Sequence, residues 1–195
     1  MTNDKKRMPL LPALQVLADW RTDEIVVTTM GSAREWPKLS RHPLDFQYIP
    51  SAMGHAPALA LGLALAQPDR RVLAFNGDGC TLMSLGSLVT IAASGATNLS
   101  LVMLDNGIYE VTGGQATAAS GVPTDFAALA RAAGIRSVAA FNELSEWQRQ
   151  AAAVLAMPGP RFVSLAVEPV VLGYQLPTPV PMAEQIARLR EALGV

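Results

Sequence analysis

The amino-acid sequence predicts an α/β protein, a three-layer α/β/α arrangement with a mostly parallel, six-stranded sheet at its centre. Two observations carry that expectation. Short apolar runs such as EIVVTT, VLAF, LSLVML and RFVSLAV alternate with longer segments whose apolar residues recur at helical spacing, the pattern of strands buried on both faces and joined by crossover helices. Several runs also end in glycine-bearing turns, Met30-Gly31-Ser32, Gly77-Asp78-Gly79 and Asp105-Asn106-Gly107. In parallel sheets the carboxyl ends of the strands are where ligands bind.

In chain order, residues 9–20 read as a helix with Leu10, Leu14, Leu17 and Ala18 inward, and 24–29 as the first buried strand. A polar segment with Pro37 and Pro43 follows as short helix and loop, and residues 45–49 alternate as a second strand. Residues 56–67, APALALGLALAQ, form a helix that is apolar all round. One side should rest on the sheet and the other on an equivalent helix or a partner across a subunit interface. Residues 71–76 are the third strand, 81–93 a single helix stopped by Gly95, and 99–104 the fourth strand. Residues 107–115 read as a Gly-rich loop, and 124–133 as a helix capped by Thr124 and stopped by Gly134. A strand at 135–140, a helix at 142–157 and a last strand at 161–167 follow. Residues 168–181 form a proline-rich arm before a closing helix at 182–193.

The length of 195 residues and 50% hydrophobic content suit one core, so residues 1–195 are expected to form a single domain without internal repeats. Charged residues make up only 16% and the net charge is −1, which offers no basic field for nucleic acid. So few charges cannot cover so apolar a chain, and a partner subunit is expected to bury part of it. The single Cys80 excludes an internal disulfide and fits a reducing, cytoplasmic compartment. Lys5-Lys6-Arg7 ahead of MPLLPALQVLA imitates a secretory signal, but its two prolines and the following Asp19-Trp20-Arg21 fit a capped amphipathic helix better. No apolar run reaches the roughly 18 residues of a membrane span.

The chemistry concentrates at two turns. Gly77-Asp78-Gly79 lets a polyanion approach the backbone, with N–H groups of the next helical turn facing it. Asp78 adds a hard oxygen, and Asn106 offers another from the neighbouring strand end. A backbone carbonyl, two phosphate oxygens and a water would complete the octahedron that Mg²⁺ demands. A glycine-aspartate turn alone is a common strand ending; its spacing is more distinctive, since residues 80–104 separate it from Asp105-Asn106. This resembles the thiamine diphosphate (TPP) fingerprint, although the pair here is Asp-Asn where the fingerprint has Asn-Asn. With SAMGHA at 51–56, GDGCTLMSLGSL and LDNGIYEVTGGQ, the chain resembles the C-terminal, cofactor-binding half of phosphonopyruvate decarboxylase and the separately encoded beta subunit of sulfopyruvate decarboxylase. The likeness covers roughly residues 10–190.

That resemblance implies a PP-type TPP-binding fold in which Gly77, Asp78, Gly79 and Cys80 meet the diphosphate. Asp78, Asn106 and the Ile108 carbonyl would hold Mg²⁺, with Tyr109 beside the cofactor. The Ser51 carbonyl would accept from the aminopyrimidine, and Met53, next to the Gly54 turn, would prop the folded cofactor. Read without the family, Met53 is equally a core methionine, and Cys80 at a helix start invites a nucleophilic-thiol reading. Glu110, His55 and Arg34 are the candidate catalytic residues. Glu110 is the one carboxylate of a segment that also offers Tyr109, Thr112 and Gln115; His55 opens a helix; Arg34 could clamp a carboxylate, sulfonate or phosphonate. Each also has a plain structural or solvated reading.

The implied activity is TPP- and Mg²⁺-dependent decarboxylation of a small 2-oxo acid to CO2 and an aldehyde. TPP enzymes take an activating glutamate from a pyrimidine-binding domain, for which no counterpart precedes Ser51. The chain is therefore expected to work with a separate pyrimidine-binding (alpha) subunit, in a hetero-oligomer of the α2β2 type or larger. A carboligase subunit of the acetolactate synthase kind would share these motifs, and a non-catalytic nucleotide-binding module would need only the turn.

Overall fold

The computed structural model of the chain describes residues 6–170 and 180–195. Helix α1 (Leu10–Trp20) leads to strand β1 (Ile25–Thr28), the short helix α2 (Met30–Glu35) and strand β2 (Asp45–Gln47). Helix α3 (Ala56–Ala66), strand β3 (Val72–Gly77), helices α4 (Asp78–Met83) and α5 (Ser87–Ser94) and strand β4 (Leu99–Asp105) form the centre. A small hairpin of β5 (Ile108–Tyr109) and β6 (Gln115–Ala116) precedes α6 (Phe126–Ala132), β7 (Ser137–Phe141), α7 (Leu144–Ala156), β8 (Arg161–Ala166) and α8 (Met182–Leu193).

The six long strands lie in the order β2-β1-β3-β4-β8-β7, every neighbouring pair parallel. From β1 the chain steps to β2 on one side, then returns through α3 to β3 on the other. The crevice beyond the carboxyl ends of β1 and β3 is therefore a topological switch point, where doubly wound sheets take ligands.

Alternation along each strand feeds two cores. Ile25, Val27, Val72, Ala74, Leu101 and Phe162 point to the layer of α3, α5, α6 and α8. Val26, Leu73, Phe75, Val102, Val163 and Leu165 point to that of α1 and α7. In the second layer Trp36 and Phe75 pack with ring centroids 5.1 Å apart, and Trp147 Nε1 donates to the Ala13 carbonyl at 3.0 Å. Helix α3 lays Ala56, Pro57, Ala60 and Ala64 on the sheet, where small side chains permit a close approach, and leaves Ala58, Gly62 and Leu65 exposed. The outer N–H of edge strand β2, from Gln47, is taken by Oε1 of the buried Gln185 on α8 at 2.9 Å, while Gln185 Nε2 donates to the Val180 carbonyl.

Three local expectations need correction. The helix expected over residues 81–93 is split: Ser84 turns its hydroxyl onto the Gly54 carbonyl at 2.7 Å and residues 84–86 form a turn before α5. Its start also lies earlier: Asp78 itself opens α4, with Gly77 as the flanking residue. Residues 107–115 are a hairpin with a 3-10 turn at Glu110–Thr112 and not a plain loop. Asp125, not Thr124, caps α6, its Oδ1 accepting from the Ala128 N–H at 2.9 Å. Gly95 does end α5 in the left-handed conformation. Of the proline-rich arm at 168–181, residues 171–179 lie outside the described residues. Among the described residues no helix is long and apolar enough to cross a membrane.

Candidate cofactor site at the switch point

The register of β3 and β4 pairs Gly77 with Leu104. Asp78 and Asn106 thus leave neighbouring strands, whose axes in a sheet lie about 4.8 Å apart. Asp78 is buried, and the buried Thr117 hydroxyl donates to its Oδ2 at 2.7 Å. Burial pushes its carboxyl pKa up to about 6; the Thr117 hydrogen bond opposes that shift and the Asp105 charge adds to it. Asn106 Oδ1 accepts from the Ile108 N–H at 3.0 Å, which fixes the amide and leaves the oxygen a second lone pair.

The Asn106 turn is held from both sides. Arg7 Nη1 donates to the Asp105 carbonyl at 2.6 Å and the Val167 carbonyl at 3.3 Å, and stands 3.9 Å from Asp105 Oδ1. On the other side the Thr117 N–H and the Ser120 hydroxyl both donate to the Gly107 carbonyl, at 2.9 and 2.5 Å. Gly107 has φ +78°, and a Cβ there would meet Arg7 Nη2 at 2.9 Å and Ser120 Oγ at 3.0 Å. Only glycine satisfies both the backbone conformation and the close packing.

A cavity of about 50 Å³ opens between these turns and the end of β1. Gly77, Asp78, Gly79 and Cys80 line it from one side, and Asn106, Ile108, Tyr109 and Glu110 from another. Met53 lines it too, as do Met30 and Gly31 beyond β1. Met30 has φ +50°, an uncommon conformation for a non-glycine residue, at the mouth of the site. The volume falls well below the roughly 300–1,000 Å³ of small-molecule pockets, and side chains of the hairpin cover part of the space. The Tyr109 ring lies so close on Gly79 that a Cβ there would come within 2.1 Å of its Cε1. Glu110 extends the cover: Oε1 accepts from the Val170 N–H at 2.6 Å and Oε2 lies against Gly31.

Arg34, His55, Ser51, Gly54 and Gln115, also named from sequence, lie outside the cavity lining. Arg34 Nε is engaged by Glu35 Oε1 at 2.6 Å, within a cluster that also takes Lys38. His55 is exposed at the start of α3. Ser51 shares a 3.0 Å hydroxyl contact with Thr29, which does line the cavity, and the buried Gly54 gives its carbonyl to Ser84. Gln115 is exposed and tied to Thr112. The Cys80 thiol is buried, and burial raises its pKa, the opposite of what a nucleophilic thiolate needs. Sequence reading missed Arg7 and Thr117. Neither belongs to a local pattern, and both are defined by partners distant in the chain.

Among the described residues no three His, Cys, Asp or Glu side chains converge as a metal cluster. The oxygen-bearing side chains of the two strand-end turns that line the cavity are one carboxylate, Asp78, and one amide, Asn106, beside glycine backbone. Such a set is incomplete for a cation by itself and fits a hard ion that brings phosphate oxygens with it.

Oxygen-bearing turns at the switch point of an all-parallel sheet define a class, the doubly wound α/β proteins that receive an anionic cofactor at their strand ends. Within that class the chain belongs to the thiamine pyrophosphate enzymes: residues 27–165 match the family's C-terminal TPP binding domain. It is 42% identical to the phosphonopyruvate decarboxylase of Streptomyces viridochromogenes over 90% of this chain and 44% of that protein. It is 38% identical to sulfopyruvate decarboxylase subunit beta of Methanothermobacter thermautotrophicus, over 82% of each. The benzoylformate decarboxylase of Polynucleobacter necessarius shares the fold, with a TM-score of 0.70 at 20% identity over 86% of this chain and 35% of that one. The chain thus spans less than half the length of the Streptomyces relative.

Proposed function

We propose that the chain is the diphosphate- and Mg²⁺-binding subunit of a two-subunit, TPP-dependent decarboxylase acting on a small 2-oxo acid of the sulfopyruvate or phosphonopyruvate kind. The observation that carries this reading is the pair of adjacent turns that brings Asp78 and Asn106 to one cavity at the switch point. The similarity to sulfopyruvate decarboxylase subunit beta, whose name implies a partner subunit, supports the division into two subunits.

In this reading Asp78, Asn106 and the Ile108 carbonyl hold Mg²⁺. Gly77 and Gly79 give the diphosphate access to backbone N–H groups of the first turn of α4, which lack intrahelical acceptors. Bound there, TPP supplies the electron sink that lets a 2-oxo acid lose CO2. Met53 supports the cofactor from below, and the buried, protonated Cys80 contributes small size without reactivity. Tyr109 must leave Gly79 for the diphosphate to enter, so the hairpin is the moving part. Glu110, the only carboxylate of the hairpin, travels with it and is the chain's own candidate for delivering a proton to the product. The activating glutamate comes from a pyrimidine-binding partner.

The test is an assay of 2-oxo acid turnover by the purified chain with and without that partner, with product analysis. The expected result is aldehyde and CO2 from the pair and little turnover from the chain alone. Strong turnover by the chain alone would sink the two-subunit reading, and a carbon–carbon coupled product would replace decarboxylase by carboligase.

A further inference from the structure

The two turns of the site are joined by a single buried residue. Thr117 is 2% exposed, its hydroxyl donates to Asp78 Oδ2 at 2.7 Å, and its N–H donates to the Gly107 carbonyl at 2.9 Å. It stands directly after β6, at the foot of the hairpin that carries Tyr109 and Glu110. The Ser120 hydroxyl lies 3.3 Å from Thr117 Oγ1 and donates to the same Gly107 carbonyl.

We propose that Thr117 is a positioning residue of the cation site, holding the Asp78 carboxylate in the rotation that meets the ion and tying it to the Asn106–Gly107 turn. The proposal rests on the reading of Asp78 and Asn106 as metal ligands. Its physical basis is general: a ligating carboxylate must be held by a hydrogen bond on the oxygen that does not face the ion, and loss of such a partner typically costs about 10–100-fold in metal affinity. A neutral hydroxyl donor is suited to this. It orients the carboxylate and stabilises its ionised form without competing for the cation, as a lysine or arginine in its place would. Thr117 also bonds through its backbone to the hairpin's origin, so hairpin position and carboxylate orientation share one residue.

The experiment titrates Mn²⁺, read by electron paramagnetic resonance, and Mg²⁺, read by calorimetry, into the full chain in its native assembly with TPP present. Wild type, Thr117→Val and Thr117→Ser are compared, with thermal unfolding recorded for each. The expected result is a roughly 10–100-fold weaker ion affinity for Thr117→Val and recovery in Thr117→Ser, which keeps the hydroxyl. Should Thr117→Val fail to fold, Thr117→Ala removes the hydroxyl without setting a methyl against the carboxylate and is read in the same way. An unchanged ion affinity in the hydroxyl-lacking variant, with only its unfolding temperature lowered, overturns the positioning role and leaves the proposed function standing. Absence of ion-dependent binding in wild type overturns both.

Discussion

On the β3–β4 side of the cavity, Asp78 and Asn106 stand on turns that are pinned by ladder hydrogen bonds, by Arg7 from one side and by Thr117 and Ser120 from the other. On the opposite side the wall is a two-residue-per-strand hairpin whose Tyr109 and Glu110 reach across to Gly79, Gly31 and Val170 by side chains alone. The first side is made of backbone, which fixes positions to within strand spacing. The second is made of half-buried side chains, which can let go one contact at a time. Under the proposed function, the first side would grip the ion and the second would admit the cofactor.

The comparison breaks most sharply at Asp78. Asp78→Ala and Asn106→Ala should each abolish Mg²⁺-dependent TPP binding in calorimetry while circular dichroism shows an intact fold. The next effect is at Gly79, where an alanine methyl would drive into the Tyr109 ring. If the hairpin were as rigid as the strands, Gly79→Ala would cost about 2–3 kcal/mol of overpacking. If the hairpin yields, as its construction implies, thermal unfolding should register less than that, and Tyr109→Ala should remove what cost remains.

A third effect is electrostatic. Asp78 has a folded-state pKa of about 6 against an ordinary 3.8. Because the folded value is raised, its contribution to stability is full below the ordinary value and lost as pH rises through about 6. The ion-free chain should therefore lose on the order of 2 kcal/mol from this group between about pH 4 and about pH 7. Denaturant unfolding of Asp78→Asn should lack that slope. Mg²⁺ runs the other way: it needs the ionised carboxylate, so its affinity should weaken as pH falls below about 6. The smallest effect belongs to Glu110→Ala, which removes one half-buried hydrogen bond to Val170 and should cost about 1 kcal/mol, read as faster hydrogen exchange in the hairpin with the strands unchanged.

Legibility in the sequence follows the same division. Four of the six strands, β1, β3, β4 and β8, announce themselves as short apolar runs, because strands covered on both faces need little else, while the edge strand β2 shows as alternation. The Gly-Asp-Gly and Asp-Asn-Gly turns are equally readable, since each puts glycine and an oxygen-bearing side chain together within three consecutive residues at a strand end. What escaped depends on contacts between distant residues. The break between α4 and α5 comes with Ser84 finding the Gly54 carbonyl across thirty positions, while the apolar spacing runs on through both helices. Arg7 and Thr117 find their partners 98 and 39 positions away. The hairpin had a local signal in Gly113-Gly114, both at positive φ, that a reading based on glycine content alone passes over. Arg34 shows the converse: a guanidinium beside a strand end looks available until Glu35 is seen to engage it.

The clip between Gln185 and Gln47 bears on what happens when the chain is cut. Edge strands with open donors recruit other strands, and here an amide from the closing helix covers the Gln47 donor on the outer side of β2. Proteolysis within the proline-rich connector would release that helix and uncover the sheet's margin. The product should keep its fold and self-associate through the bared margin, so cleavage in this protein would register as aggregation before it registers as denaturation.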